Sequence, residues 1–200
     1  MPKAFRIHKN GGPEVMAWEE VPVGAPGPGE ARVRHHAVGL NYIDTYHRTG
    51  LYPVTLPSGL GSEGAGVVEA VGPQVEEFKP GDRVAYAGGP LGAYSEVRNI
   101  PAVYLVKLPD SIPFEQAAAM MLQGMTAQYL IKRTYITRPS LVPYTAKRSD
   151  LLSTAQDLFN MVLSGKVKIE MNQRYALKDA AQAHRDLEAR RTTGSTVLVP

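Results

Sequence analysis

The chain has 200 residues, of which 44% are hydrophobic, and its 22 basic and 19 acidic side chains give a formal charge of +3. These numbers suit a globular protein with a buried core, and the interleaved charges exclude the basic stripe of a nucleic-acid-binding surface. The absence of cysteine excludes disulfides and thiolate zinc sites, and no stretch approaches the roughly 18 apolar residues of a membrane-spanning helix, so we expect a cytoplasmic protein that does not enter a membrane.

The first half of the chain predicts short β-strands separated by turns rich in glycine and proline, the pattern of a compact β-barrel or sandwich. The strands are expected at residues 3–8, 15–21, 30–40, 64–72, 83–87, 93–98 and 103–109. After the third strand, Asn41 can cap a short helix, and Gly50 can end that helix in the left-handed conformation.

From residue 111 onwards the hydrophobic pattern changes to a helical period. Residues 111–135 predict two helices divided at Gly124, and residues 148–167 predict another that Gly165 ends. Residues 178–191 predict a further helix, and residues 195–200 a closing strand. The expected fold class is therefore α+β, mainly β, with two short strands among the later helices.

Gly59, Gly61 and Gly64 have the G-x-G-x-x-G spacing of a dinucleotide-binding loop. Such a loop needs a strand before it and a helix after it, because the helix N-terminus holds the pyrophosphate. Here two prolines lie within the eight residues upstream, and the downstream residues are rich in valine and end at Gly72-Pro73. We interpret these glycines as a turn that leads into a strand.

The five histidines predict no metal site. His35 and His36 are adjacent and therefore point to opposite faces of a strand. The other three stand alone, and none has a metal-ligand spacing to another histidine.

Several motifs together resemble a known family. They are NYIDTYHRTGLYP (41–53), LPSGLGSEGAGVVEAVG (56–72), FKPGDRVAY (78–86), GAYSEV (92–97) and FEQAAAMMLQGMTAQYL (114–130). The segments are similar to the catalytic-domain half of NADPH-dependent quinone oxidoreductases, the zeta-crystallin-like, zinc-free branch of the medium-chain dehydrogenase/reductase superfamily. The resemblance covers residues 1–135, and it resumes with TRPSL and continues through LKDAAQAH and GSTVLVP.

The resemblance implies a GroES-like catalytic domain, a partly open β-barrel with peripheral helices, without the family's Rossmann domain. In the family, that domain of about 120–130 residues is inserted between segments that match LIKRTY and ITRPSL. Here Tyr135 is followed directly by Ile136. This junction indicates either an engineered deletion or a natural truncation. The implied domain has two parts, residues 1–135 ending in helices and a C-terminal return segment at 136–200.

The resemblance also implies hydride transfer from NADPH to a quinone, without a metal. Reduction of a quinone places negative charge on a carbonyl oxygen, so a metal-free site needs neutral hydrogen-bond donors there. Asn41, Tyr46 and Tyr52 are the implied catalytic donors. The implied cofactor contacts are Tyr42, Ile43, Asp44, Thr45, Tyr46, Thr126, Tyr129, Thr137 and Arg190.

Several of these residues also have a structural interpretation. Tyr46 and Tyr52 can be half-buried aromatic side chains with solvated hydroxyls. Asp44 can be a carboxylate that favours the start of a helix. Glu63 is expected to be a structural carboxylate and not a base.

Two arginines compete for the cofactor contact from the C-terminal segment. The resemblance favours Arg190 over Arg191, but either can simply suit the last turn of a helix. Thr137 and Arg138, next to the junction, are expected to approach the nicotinamide in a complete enzyme.

The missing domain changes the expected function. Without its contacts we expect NADPH to bind weakly or not at all, each 1.4 kcal/mol being a factor of ten in affinity. The chain is then a quinone oxidoreductase with little or no activity, or alternatively a non-catalytic binding or scaffold fragment, with RNA binding the less favoured variant. Residues 114–135 would lose their partner domain, so we expect an apolar patch and self-association there.

Overall fold

The computed structural model describes residues 1–132 and 145–200. Within these ranges the strands are β1 (Lys3–Ile7), β2 (Met16–Glu20), β3 (Glu30–Leu40), β4 (Ser58–Gly59), β5 (Glu63–Val71), β6 (Arg83–Ala87), β7 (Val97–Pro101), β8 (Val106–Lys107), β9 (Met171–Ala176) and β10 (Ser195–Val199). The helices are α1 (Tyr42–Thr49), α2 (Phe114–Lys132), α3 (Arg148–Leu163) and α4 (Ala180–Glu188), and short 3-10 turns precede β2, β8 and α4. The order confirms the expected α+β class with mostly strands.

Strand β3 organises the larger sheet. One edge of β3 pairs antiparallel with β5 over most of its length, while the other edge pairs first with β7 and then with β10. The larger sheet follows the order β8-β6-β5-β3-β10-β9, and a smaller sheet has the order β2-β1-β4. These strands form no closed barrel within the described ranges, which fits a partly open GroES-like domain. Because β10 pairs with β3, the end of the chain belongs to the same sheet as its first half.

Two hydrophobic cores support the sheets. One surrounds β1 and β3 and includes Phe5, Ile7 and Tyr94, while the other lies between the larger sheet, α2 and α3. Met120, Met121 and Met125 of α2 are completely or almost completely buried in the second core. The methionines of α2 are therefore covered by this chain itself.

Helix α2 is continuous, so the predicted division at Gly124 is wrong. Gly124 lies inside the helix and faces α3, where a β-carbon would stand only 2.6 Å from Leu158 Cδ1. The glycine therefore allows two helices to approach closely and does not end one.

Several predicted boundaries also differ from the structure. The strand expected at 93–98 begins only at Val97, after an isolated bridge between Ser95 and Ala4. The strand expected at 103–109 is a 3-10 turn (Ala102–Tyr104) followed by the two-residue strand β8. Strand β9 had no predicted bounds, because its side chains are mostly exposed and show no buried alternation. No helix in the described part of the chain is long and apolar enough to cross a membrane.

Candidate functional site

Helix α1 carries most of the residues that the resemblance places in a site. It begins after Asn41, whose backbone N–H donates to Asp44 Oδ2 at 2.9 Å. It ends at Gly50, which has a φ of 85° in the left-handed region. The predicted start and stop of this helix are confirmed.

A cavity of about 440 Å³ opens where α1, the end of β6, α2 and the start of α3 meet. Its walls are mostly apolar and include Ile43, Ala87, Gly88, Tyr104, Leu122 and Thr126. Among the implied site residues, Ile43 and Thr126 line this cavity. Sequence reasoning did not identify the contributions of β6 and of the turn before β8, because they come from segments distant in the chain.

The helical period divides the remaining α1 residues between two faces. Asp44 and Thr45 are buried, whereas Tyr42 is 51% exposed. Asp44 accepts hydrogen bonds from the Asn41 N–H and the Tyr94 hydroxyl, each at 2.9 Å. The geometry therefore supports the structural interpretation of Asp44, and Asp44 and Thr45 do not line the cavity.

Three tyrosines form a row of ring contacts along α1 and the segment that follows it. The ring centroids of Tyr42 and Tyr46 are 5.5 Å apart, and those of Tyr46 and Tyr52 are 5.3 Å apart. The Tyr52 N–H also donates to the Tyr46 carbonyl at 3.1 Å. The structure thus brings together the two tyrosines implied as catalytic donors, although neither lines the cavity.

Asn41, the third implied donor, faces the interior. It is 5% exposed, and its Nδ2 donates to Glu63 Oε2 at 2.6 Å. Glu63 Oε1 accepts from the Leu122 N–H at 2.8 Å. Burial raises the pKa of Glu63 to about 8. Glu63 was expected to be structural, but its partners are 22 and 59 residues away in the chain and could not be read from the sequence.

A second buried polar network joins α1 to α4, and sequence reasoning missed it. The Tyr94 hydroxyl lies 3.1 Å from His184 Nε2 while it donates to Asp44. Arg48 Nη2 contacts Glu188 Oε1 at 2.6 Å. Burial raises the pKa of Asp44 to about 7 and, with the nearby Arg48 charge, lowers that of His184 to about 3. The available signal was the i, i+4 spacing of Asp44 and Arg48, which places both on the buried face of one helix.

The other implied contacts are dispersed. Tyr129 is 3% exposed within α2. Arg190 is exposed in a left-handed conformation after α4, with a φ of 56°, and Arg191 Nη1 lies 3.5 Å from Asp186 Oδ1. Thr137, Arg138 and the junction at residues 135–136 lie outside the described residues.

The glycine motif forms the predicted turn. Gly61 has a φ of 84°, and β5 begins two residues later at Glu63. A β-carbon at Gly64 would lie 3.1 Å from both His35 and Tyr86, so this segment is packed and leaves no cradle for a phosphate. Among the residues that the structure describes, no group of three or more histidines and carboxylates is placed to hold a metal ion.

Comparison with known proteins assigns both parts of the chain. A profile described as "Alcohol dehydrogenase GroES-like domain" matches residues 27–110, and one described as "Zinc-binding dehydrogenase" matches residues 102–198. The chain is 35% identical to a quinone oxidoreductase from Pseudomonas aeruginosa, and the alignment covers 100% of both sequences. The similarity inferred from the motifs is therefore confirmed.

Solved structures give the same result. The quinone oxidoreductase of Pseudomonas syringae pv. tomato superimposes with a TM-score of 0.96 at 35% identity, covering 100% of both chains. The Escherichia coli quinone oxidoreductase complexed with NADPH gives 0.96 at 30% identity, covering 99% of this chain and 100% of that one. The alignment with the Pseudomonas aeruginosa protein runs over 325 positions against 200 residues here, which leaves about 125 positions without a counterpart. The chain belongs to the quinone oxidoreductase family, within the medium-chain dehydrogenase/reductase superfamily and with its GroES-like domain.

Proposed function

We propose that this chain is the catalytic-domain part of an NADPH-dependent quinone oxidoreductase and that the cavity between α1 and α2 receives the nicotinamide end and the quinone. The observation that carries the proposal is the mostly apolar cavity that Ile43, Leu122 and Thr126 line. Flat rings of low polarity suit such walls. The relative crystallised with NADPH supports the choice of cofactor.

The cavity fits the nicotinamide end of the cofactor. Gly88 lines it, and a β-carbon placed there would meet no atom within 4 Å, so the space next to this residue is open. Arg148 also lines the cavity, but its guanidinium already donates to Glu77 and to the carbonyls of Val103 and Leu105. It is therefore already engaged and is not a free partner for a phosphate.

The described residues do not fit the pyrophosphate end. A pyrophosphate is usually held by a glycine-rich turn before a helix. The G-x-G-x-x-G segment in this chain leads into β5 and is packed against His35 and Tyr86. We therefore propose that the relatives obtain most of their affinity for NADPH from the segment that this chain lacks.

Bound NADPH supplies the hydride in this chemistry. The protein's own contribution is to exclude water with the walls of the cavity, which strengthens electrostatic interactions inside it. The Thr126 hydroxyl can orient a polar ring substituent from the α2 side. Tyr46 and Tyr52 are the proposed neutral donors to the developing quinone oxyanion, with Asn41 acting through its contacts in the wall.

We also infer that residues 1–135 and 136–200 are two parts of one catalytic domain. The pairing of β10 with β3 supports this inference. So does the hydrogen bond from Ser195 Oγ to the Ala119 carbonyl at 2.9 Å, which ties the last strand to α2.

Two measurements test the proposed function. Reduced nicotinamide mononucleotide, titrated by fluorescence, probes the cavity without requiring a pyrophosphate site. We expect weak binding that Thr126→Val reduces by roughly threefold to tenfold, the net value of one hydrogen bond, and that Thr49→Val on the exposed side of α1 leaves unchanged. Absence of binding would leave a scaffold fragment as the better description.

NADPH oxidation with 1,4-benzoquinone tests the proposed loss of activity. We expect NADPH to bind with a dissociation constant at least about 100-fold higher than micromolar. The missing contacts should cost several kcal/mol, and each 1.4 kcal/mol raises the dissociation constant tenfold. Micromolar affinity with sustained turnover would overturn the proposed loss of activity and leave the proposed cavity in place.

A further inference from the structure

Glu63 is a buried carboxylate next to the cavity that does not line it. The residue begins β5 and is 1% exposed. Its two oxygens accept from different elements, Oε2 from the Asn41 side chain before α1 and Oε1 from the Leu122 backbone within α2. One side chain therefore links the start of α1 to α2, and both helices contribute residues to the cavity wall.

The contact with α2 is unusual. Leu122 lies inside the helix, where a backbone N–H normally faces the carbonyl four residues earlier, here that of Ala118. A β-carbon at Gly39 of β3 would overlap both the Ala118 carbonyl oxygen and the Glu63 carboxylate. The glycine thus leaves the space in which the carboxylate reaches the helix backbone.

Glu63 is also linked to the third wall of the cavity through the backbone. It pairs with Ala87 at the end of β6, and Ala87 lines the cavity. The preceding carbonyl, that of Ser62, accepts from the Gly88 N–H at 2.8 Å. The α1, α2 and β6 walls all meet at this one residue.

The Glu63 carboxyl is surrounded by neutral hydrogen-bond donors and one acidic neighbour. Burial raises the pKa of Glu63 most and the nearby Asp44 of α1 raises it further, while the Asn41 amide and the Leu122 and Met121 N–H groups lower it. No ion pair to Glu63 is found in the described part of the chain. A buried carboxylate with only neutral donors is costly unless those donors are held in place.

We propose that Glu63 is a positioning residue of the cavity: its carboxylate holds the start of α1 and the middle of α2 at a set spacing, and so determines how well the cavity binds its ligand. Asn41 precedes the cavity residue Ile43 by two positions, and Leu122 itself lines the cavity. A change at Glu63 therefore moves two walls. The effect on ligand binding rests on the proposed function, whereas the effect on the walls does not.

Glu63→Gln is the main test variant and is compared with the wild type above pH 8, where the folded Glu63 carboxyl is ionised, because it then keeps the shape and removes one acceptor. The amide offers a single acceptor oxygen, so either the Asn41 amide or the Leu122 N–H loses its partner. The double variant Glu63→Gln with Asn41→Asp restores the pairing, since the carboxylate introduced by Asn41→Asp accepts from the new amide. Glu69→Gln is the matched control, because Glu69 lies on the same strand and pairs with Arg34 on the exposed face.

The first readout needs no ligand. In nuclear magnetic resonance spectra of the full chain, we expect E63Q to increase hydrogen exchange of the Leu122 amide at least tenfold and to shift the Ile43 methyl resonance. The double variant should return both towards the wild type, and E69Q should change neither. If E63Q does not fold, Asn41→Ser, which keeps a helix-capping residue but cannot reach Glu63, should shift the same Ile43 resonance.

The second readout is the affinity for reduced nicotinamide mononucleotide. We expect a loss of at least fivefold in E63Q and recovery in the double variant. Wild-type exchange at Leu122 and an unshifted Ile43 methyl in E63Q, or changes spread evenly over the molecule without recovery in the double variant, would overturn the proposal. If the wild-type chain binds no mononucleotide, the proposed function fails, and the Leu122 and Ile43 readouts still decide the role of Glu63.

Discussion

Arg48 is a fully buried cation with one ionic partner. Its side chain is 0% exposed, and Nη2 contacts Glu188 Oε1 at 2.6 Å. Nε and Nη1 have no hydrogen-bond partner among the residues that the structure describes. A buried guanidinium is tolerated only where its charge is compensated. The pair therefore attaches α4, near the end of the chain, to α1 beside the site.

Removing Glu188 should be more damaging than removing Arg48. Glu188→Ala leaves a buried charge without its partner, and we expect a loss of about 2–3 kcal/mol, less than for a fully enclosed pair because the Glu188 side chain is 35% exposed. Arg48→Met fills a similar volume without a charge and should cost less. Urea denaturation measures both changes.

An exposed ion pair supplies the control for this comparison. Arg174 Nη2 and Glu115 Oε1 are 2.7 Å apart, and the Arg174 side chain is 62% exposed. Glu115→Ala should therefore cost less than about 1 kcal/mol. Equal losses in the Glu188 and Glu115 variants would contradict the importance of the buried pair.

At the scale of elements, the close contact between α2 and α3 depends on a small residue. Gly124 faces the two terminal methyl groups of Leu158, and a β-carbon there would lie 2.6 and 2.7 Å from them. Glycine inside a helix costs about 1 kcal/mol relative to alanine. The gain in packing at this position offsets that cost.

A double-mutant cycle tests this packing. Gly124→Ala alone should destabilise the chain by about 1 kcal/mol, because the overlap with Leu158 exceeds the gain in helix propensity. Leu158→Ala alone should cost about 2–4 kcal/mol through the cavity that it leaves. In the Leu158→Ala background, Gly124→Ala should instead stabilise by about 1 kcal/mol. Additive effects in thermal unfolding would show that the two positions are not coupled.

At the scale of the whole molecule, two buried carboxyls and two buried histidines of the described residues should determine how stability depends on pH between about pH 3 and 8. Burial raises the pKa of Glu63 from 4.5 to about 8 and that of Asp44 from 3.8 to about 7. Burial lowers the pKa of His35 from 6.5 to about 4 and that of His184 from 6.5 to about 3. The folded carboxyls hold protons more tightly than the unfolded ones, so their contribution is lost as pH rises. The folded histidines hold protons less tightly, so theirs is lost as pH falls.

Between about pH 4.5 and 6.5, rising pH reduces the contribution of the carboxyls to stability and increases that of the histidines, so the two changes oppose each other. Above that range only the contribution of the carboxyls changes. We therefore expect the melting temperature to fall between pH 6.5 and 8. Glu63→Gln should remove part of this fall, because its amide does not titrate, whereas Glu69→Gln should not. Differential scanning calorimetry at pH 6.5, 7 and 8 provides the measurement, and a flat or rising profile would contradict the expectation.

Self-association through residues 114–135 stays a prediction. In the described part of this segment, the end of α2 is the region that exposes a large apolar side chain most fully. The methionines of α2 are buried, but Ile131 near its end is 84% exposed. Light scattering should show a mass that rises with concentration, and Ile131→Lys should reduce this rise. Leu51→Lys, at an exposed apolar residue elsewhere, is the control. A constant monomer mass in the wild type would contradict the prediction.

The sequence alone determined the local features of this protein. The Asn41 and Gly50 limits of α1, the bounds of β3 and β6, and the turn at Gly61 follow from capping, alternation and glycine conformation, which act over a few residues. The motifs were also sufficient to indicate the family. These features need no knowledge of distant contacts.

Only the tertiary structure decided which of the implied residues share a site. It placed Ile43 and Thr126 in one cavity, Tyr46 and Tyr52 in contact with each other, and Asn41 against a buried carboxylate. It also joined Gly124 to Leu158 and α1 to α4. The physical reason is that these contacts depend on the packing of segments up to 140 residues apart, and local propensity carries no information about which distant surface a side chain will meet.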